Sequence, residues 1–125
     1  MLTGVRAAFI GGDARQIEVI QRFSDMDATI TLIGLDNLQR QFAGATQGVL
    51  QPELFRHFDV VVLPPVGCDD AGKVQTIFSS KTLVLGEEHI ANLPDHARIF
   101  TGTAPSYLRH LCRKHQIQLT EIFER

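Results

Sequence analysis

The sequence has no tryptophan, one tyrosine, two cysteines and two methionines in 125 residues. Cys68 and Cys112 lie far apart and lack metal-ligand spacing, which excludes a disulfide framework and a cysteine-based zinc site. They read as reduced thiols of a cytoplasmic protein. No apolar run approaches the ~20 residues that a membrane helix needs. The N-terminus shows no charged segment followed by an apolar one, so no secretory signal is expected. Charge of one sign is lacking too. Twelve Lys and Arg face fourteen Asp and Glu, a formal net charge of -2, which gives no field to gather nucleic acid or an anionic membrane. Arg109, Arg113 and Lys114 do cluster, but near the C-terminal end of a predicted helix, where they complement its dipole.

Several motifs are also missing. There is no G-x-S-x-G elbow and no H-E-x-x-H. The five histidines (His57, His89, His96, His110 and His115) do not converge in sequence, and each reads as a solvated surface group. Asp69-Asp70 has the chemistry for Mg²⁺, yet a solvated acidic loop is the commoner explanation, so no metal site is expected.

What is present is a globular composition, 44% hydrophobic and 21% charged, of a length suited to one domain. The organising stretch is Val5–Gln16, VRAAFIGGDARQ. Val5–Ile10 reads as a buried strand. Gly11 and Gly12 break it, Asp13 is a ready N-cap, and Ile17, Ile20 and Phe23 then fall at helical spacing. Further strands are expected at Ala28–Ile33, at Asp59–Leu63 (DVVVL, apolar enough for burial on both faces) and at Ala97–Phe100. Gln118–Phe123 is a last strand. Gly44–Leu50 is a weak edge-strand candidate and Thr82–Leu85 a short one. Leu35–Phe42 is open between a short helix and an ordered loop, Lys73–Phe78 between a short helix and extended chain. Glu53–His57, Glu87–Leu93 and Pro105–His115 read as helical, the last with Leu108, Leu111 and Cys112 on one face. Strands alternating with short helices predict an α/β fold: a doubly wound, mostly parallel sheet, Rossmann-like or flavodoxin-like, of five or six strands in a single three-layer domain.

In such a sheet ligands bind beyond the carboxyl ends of the strands. The candidate substrate-binding residues there are Gly11, Gly12, Asp13 and Arg15 after the first strand, and Thr101, Gly102 and Thr103 after Ala97–Phe100. Backbone N–H groups at two helix starts and one guanidinium suit a small carboxylate. The blander reading is that Asp13 and Thr101–Thr103 simply cap their helices. GGDARQ is not the G-x-G-x-x-G fingerprint, and Asp13 would set a negative charge beside a pyrophosphate, so this turn is not expected to bind NAD. Tyr107, the one tyrosine, has two readings, reaching the ligand edge from the first turn of its helix or packing its ring on the sheet, and packing is slightly favoured.

The opening MLTGVRAAFIGGDARQIEVIQRF, then ITLIGLDNL, DVVVLPP, IFSS, IFTG and the closing LTEIFER resemble the A-subunit of the dipicolinate synthases of spore-forming bacteria, over essentially the whole chain. The resemblance implies an oxidoreductase that forms dipicolinate from a dihydrodipicolinate-type precursor during sporulation. Its reaction would be hydride transfer to nicotinamide, with proton loss restoring an aromatic ring. The family's A-subunit is longer, and its second half carries the NAD(P)-binding domain. Residues 1–125 are accordingly expected to be the N-terminal substrate and partner domain, with NAD(P) held by the C-terminal domain absent here and no cofactor in this fragment. Implied partners are the synthase's flavoprotein-like B-subunit, a small dicarboxylate and a second copy as a homodimer; the implied location is the mother-cell cytoplasm. On this reading Arg15 clamps a substrate carboxylate and Asp13 orients it or acts as a base. The alternative is a non-catalytic assembly module that binds the B-subunit or another A-subunit through exposed apolar side chains in Leu35–Leu50 and Val74–Leu85. A free-standing receiver-like domain ranks last, because Pro64-Pro65 stands where a phosphorylatable Asp belongs.

Overall fold

The computed structural model describes residues 1–122. The elements run β1 (Arg6–Ile10), α1 (Ala14–Asp25), β2 (Thr29–Ile33), β3 (Ala45–Gly48), a 3-10 helix (Pro52–His57), β4 (Val60–Val62), β5 (Lys73–Val74), β6 (Leu83–Val84), α2 (Glu87–Asn92), β7 (Arg98–Thr101), α3 (Ser106–Lys114) and β8 (Gln118–Glu121). Six strands form one sheet in the order β3-β2-β1-β4-β7-β8, and every pairing in it is parallel. With the β5–β6 hairpin set aside, this is the 3-2-1-4-5-6 order of the doubly wound Rossmann sheet. The chain is an α/β protein with helices on both sheet faces.

Sequence dictates which strands are central. β1 buries Ala7, Ala8, Phe9 and Ile10, as a strand covered on both faces must. Ala8 and Ile10 point into one core, with Phe55, Val61, Leu85, Ile90, Ile99 and Leu108 beneath α2 and α3. Ala7 and Phe9 point into the other, with Ile20, Ile30, Leu32 and Val62 beneath α1. Phe9 meets Phe23 of α1 edge to face at 5.2 Å. Helix α1 offers Ile17, Ile20 and Phe23 to this second core, as their spacing predicts. Among the described helices, only α1 covers that face. The paired residues Val62 and Phe100 on the β4–β7 half of it line an apolar groove instead.

Thr82–Leu85 does hold a strand, Leu83–Val84. It lies outside the main sheet and pairs antiparallel with β5, where Leu85 N–H donates to Gly72 C=O at 2.8 Å. Lys73–Phe78 is thereby resolved as extended at its start. Two expectations are corrected. His89 is not a solvated surface group. It is 5% exposed, its Nδ1 accepts the Gly86 N–H at 2.9 Å, and its ring packs 5.1 Å from that of Phe55. Helix α3 has no side-chain cap; the Thr101 hydroxyl donates instead to the carbonyls of Pro64 and Thr103. The last strand is described to Glu121, and Phe123 lies outside the described residues.

The two thiols belong to the first core. Burial pushes each up to about 11, so neither is a nucleophile at neutral pH. The Tyr107 hydroxyl donates to the Leu85 carbonyl at 2.8 Å while its ring packs against the same core.

Candidate functional site

The carboxyl edge of the sheet is built around the Gly11–Gly12 turn. Both glycines have positive φ, +63° and +115°, which L side chains adopt poorly. A Cβ on Gly11 would also lie 2.8 Å from the Gln75 carbonyl oxygen. The contact exists because the segment between β5 and β6 folds over the turn. Gly12 N–H donates to Gln75 C=O at 2.8 Å, Ile77 N–H to Gly12 C=O at 3.0 Å, and the Thr76 hydroxyl to Gly34 C=O at 2.7 Å. Leu83, 5% exposed, fills the space that Gly34 leaves by having no side chain.

The N–H groups of this turn are therefore directed into the chain: Gly11 N–H donates to Ile33 C=O at 2.8 Å, and Gly12 N–H to Gln75 as above. That arrangement does not fit a dinucleotide, whose pyrophosphate needs open glycine N–H groups and a close backbone approach.

Asp13 caps α1 by accepting the Arg15 N–H at 3.0 Å. The same carboxylate takes the Arg15 guanidinium at 2.8 Å from Nη2 and 3.1 Å from Nε. These hydrogen bonds, the guanidinium ones first, hold the Asp13 carboxyl below its ordinary range and raise Arg15. An Asp stabilised in this way orients its Arg and is a weak proton acceptor. The Arg15 side chain is 62% exposed, so it can exchange carboxylates without being buried first.

Two recesses flank this pair. On the hairpin side lies a polar cavity of about 380 Å³ whose walls include Gly12, Asp13, Lys73, Thr76, Ser80 and Lys81. On the α1 side lies a groove of about 430 Å³ whose walls include Arg15, Val19, Phe23, Val62, Phe100 and Ile122, with Gly102 at its end. The predicted residues are thus divided. Gly12 and Asp13 reach the polar cavity, and Arg15 and Gly102 border the apolar groove. Thr101 is buried, and Thr103 ties its N–H to Pro65 C=O at 2.8 Å. A Cβ on Gly102 would sit 2.0 Å from the Pro65 carbonyl oxygen, so the Thr101–Thr103 loop is bolted to Pro64–Pro65.

Lys73 and Lys81 escaped the sequence reading because a hairpin, not a motif, brings them together. The available signal was scarcity: the chain has only three lysines, and two of them bracket the hairpin loop. Asp69, by contrast, is occupied structurally, its Oδ1 accepting the N–H groups of Ala71 and Lys73 at 2.9 Å each. Among the described residues no three His, Cys, Asp or Glu side chains are placed to hold a metal ion, and no helix is long and apolar enough to cross a membrane.

Fold and edge together define a Rossmann-like α/β domain whose first turn has both glycine N–H groups bonded within the chain and whose mouth carries an arginine–aspartate pair. Residues 6–123 match the family model of the dipicolinate synthase A-subunit N-terminal domain, and the chain belongs to that family. It is 37% identical over 125 residues to the dipicolinate synthase A-subunit of Bacillus subtilis (strain 168), covering 100% of this chain and 42% of that relative. The crystal structure of the dipicolinate synthase A-subunit from Bacillus halodurans superposes with a TM-score of 0.93 at 39% identity, over 97% of this chain and 42% of that one. The crystal structure of the corresponding Bacillus subtilis polypeptide gives 0.94 at 37% identity, over 100% and 42%. The chain therefore spans well under half the length of the relatives it matches.

Proposed function

We propose that this chain is the substrate-side domain of a dipicolinate-forming oxidoreductase, cytoplasmic and active in sporulation. NAD(P) would be bound by polypeptide outside it, and the synthase's B-subunit would be its partner. The observation that carries this reading is the exposed Arg15 guanidinium held by Asp13 at the carboxyl edge, where Asp13 also lines a polar cavity with Lys73 and Lys81. A dicarboxylate substrate would take Arg15 from Asp13 by a bidentate exchange of like for like. Asp13 keeps the guanidinium oriented until then. Gly11 and the Thr101–Gly102–Thr103 loop hold the frame in which that exchange happens.

The test is a chimera in which this chain replaces the matched 42% of the Bacillus subtilis relative, assayed with the B-subunit for dipicolinate formation. The chimera is expected to be active. Arg15→Ala in it is expected to raise KM for the dicarboxylate by about tenfold or more, the effect of one charge-assisted bidentate pair. A folded chimera that forms no dipicolinate would contradict the reading, and an unchanged KM would remove Arg15 from the site.

A second reading, an assembly module, is favoured by the apolar groove over β4 and β7. In Leu35–Leu50 and Val74–Leu85 the side chains of Leu35, Phe42, Val74, Leu83 and Leu85 are buried, while Val49, Ile77 and Val84 are exposed. Among the described residues the groove is a larger concave apolar surface, and such surfaces mark contacts. The occupant we assign is A-subunit polypeptide beyond the matched segment, since that segment is 42% of each relative and Ile122 already lines the groove. An apolar dye that binds this chain and is displaced in the chimera would support that assignment. Equal binding to both would oppose it.

A further inference from the structure

We propose that the cavity beneath the β5–β6 hairpin binds a small dicarboxylate dianion, Lys73 and Lys81 taking the carboxylate that Arg15 does not. This rests on the substrate-side reading above and names the residues and ligand charge of that site. Most other cations of the described chain have partners: Arg6 with Asp59, Arg15 with Asp13, Arg109 with Glu121 and Lys114 with Glu87. Arg40 lies over the Phe42 ring, and Arg56 donates to Asn92. Lys73 and Lys81 form no ion pair among the described residues, yet both line one cavity of about 380 Å³. The only carboxylate on its walls is Asp13, and Arg15 already neutralises it. Two lysines without an ion pair among the described residues thus line one recess in a chain whose net charge is -2. Concentrating one sign in a concave site focuses its field on an oppositely charged ligand.

The frame is fixed. Hydrogen bonds from Gly12, Ile77 and Thr76 pin the hairpin loop to the ends of β1 and β2. The Ser79 hydroxyl donates to Asp36 at 3.1 Å, which keeps that carboxylate engaged. The hydroxyls of Ser80 and Thr82 on the cavity wall supply donors to the remaining carboxylate lone pairs. Lysines on the cavity and Arg15 beside it discriminate between one carboxylate and two, because only the dianion engages both.

The experiment is calorimetric titration of this chain with pyridine-2,6-dicarboxylate, with pyridine-2-carboxylate and with inorganic phosphate. The dicarboxylate is expected to bind about tenfold or more tightly than the monocarboxylate, and to weaken as salt is raised. Lys73→Gln and Lys81→Gln are each expected to bring the dicarboxylate down to the monocarboxylate's affinity, while Lys73→Arg retains most of it. Both lysines are exposed, so these variants keep the fold, which the amide NMR spectrum verifies. Absence of dicarboxylate binding, unchanged affinity in the double Gln variant, or phosphate binding as tightly as the dicarboxylate would overturn the proposal. An active chimera with lysine-independent binding would sink this inference and leave the substrate-side reading standing. Lysine-dependent binding with an inactive chimera would do the reverse.

Discussion

Gly102→Ala tests whether the loop after β7 is a structural bolt. The added Cβ would lie 2.0 Å from the Pro65 carbonyl oxygen and 2.6 Å from its carbonyl carbon and Cα. All three are backbone atoms, so no rotamer change relieves the overlap. The loop must lift from Pro64–Pro65, which breaks the Thr103 N–H bond to Pro65 at 2.8 Å and the Thr101 hydroxyl bond to Pro64 at 3.1 Å. Two lost hydrogen bonds cost about 1 kcal/mol each, and overpacking in a rigid surround costs about 1–3 kcal/mol more. The sum, about 3–5 kcal/mol, is a large share of the ~5–15 kcal/mol that holds a domain together. The assay is thermal unfolding by circular dichroism, where a drop in Tm of about 10–20 °C is expected. Gly102 does not have a positive φ, so the overlap with Pro65 is the source of the loss and the wild-type chain is the reference. A Gly102→Ala chain as stable as the wild type would refute the bolt and make Thr101–Thr103 an open, ligand-facing loop again.

Leu83→Ala removes the side chain that fills the space above Gly34. A loss of about 2–4 kcal/mol is expected, with faster amide exchange in residues 73–84 than elsewhere; uniform exchange would show that the hairpin is not fastened there. Asp59 gives a pH prediction. Burial pushes its carboxyl up, but hydrogen bonds from the His96 ring and the Arg6 N–H, with the Arg6 charge, outweigh burial and lower it below 3.8. A carboxyl lowered in the folded state contributes stability that is present above its unfolded value and lost as pH falls through the folded one. Urea unfolding of the wild type should therefore weaken more between pH ~5 and ~2 than that of Asp59→Asn, and parallel curves would dismiss the pair. Cys68 and Cys112, both pushed up to about 11, should resist a thiol reagent at pH ~8 until the chain unfolds; rapid labelling of the native chain would contradict their burial.

What the sequence disclosed followed from local rules. VRAAFI, the two glycines and Asp13 spell strand, turn and cap in one short stretch, and DVVVL declares a central strand by its unbroken β-branched run. The turn was visible and its occupancy was not. Gln75 closes over Gly12 from more than sixty positions away, a contact with no periodic signature. His89 looked like a surface group because its apolar neighbours, among them Phe55, come from a separate 3-10 helix. Thr101 had the chemistry of a cap, but its hydroxyl found the Pro64 carbonyl on the neighbouring strand end instead. Asp13 and Arg15 were readable as a pair by spacing; Lys73 and Lys81 needed the hairpin.

We propose a dicarboxylate site at the hairpin cavity and no dinucleotide site at the glycine turn. The most direct measurement is amide NMR of the chain titrated separately with pyridine-2,6-dicarboxylate and with NADPH. Dicarboxylate-dependent shifts are expected at Gly12–Arg15 and Lys73–Thr82, and none from NADPH at Gly11–Asp13. NADPH shifts at that turn, or a dicarboxylate that moves only distant residues, would contradict it.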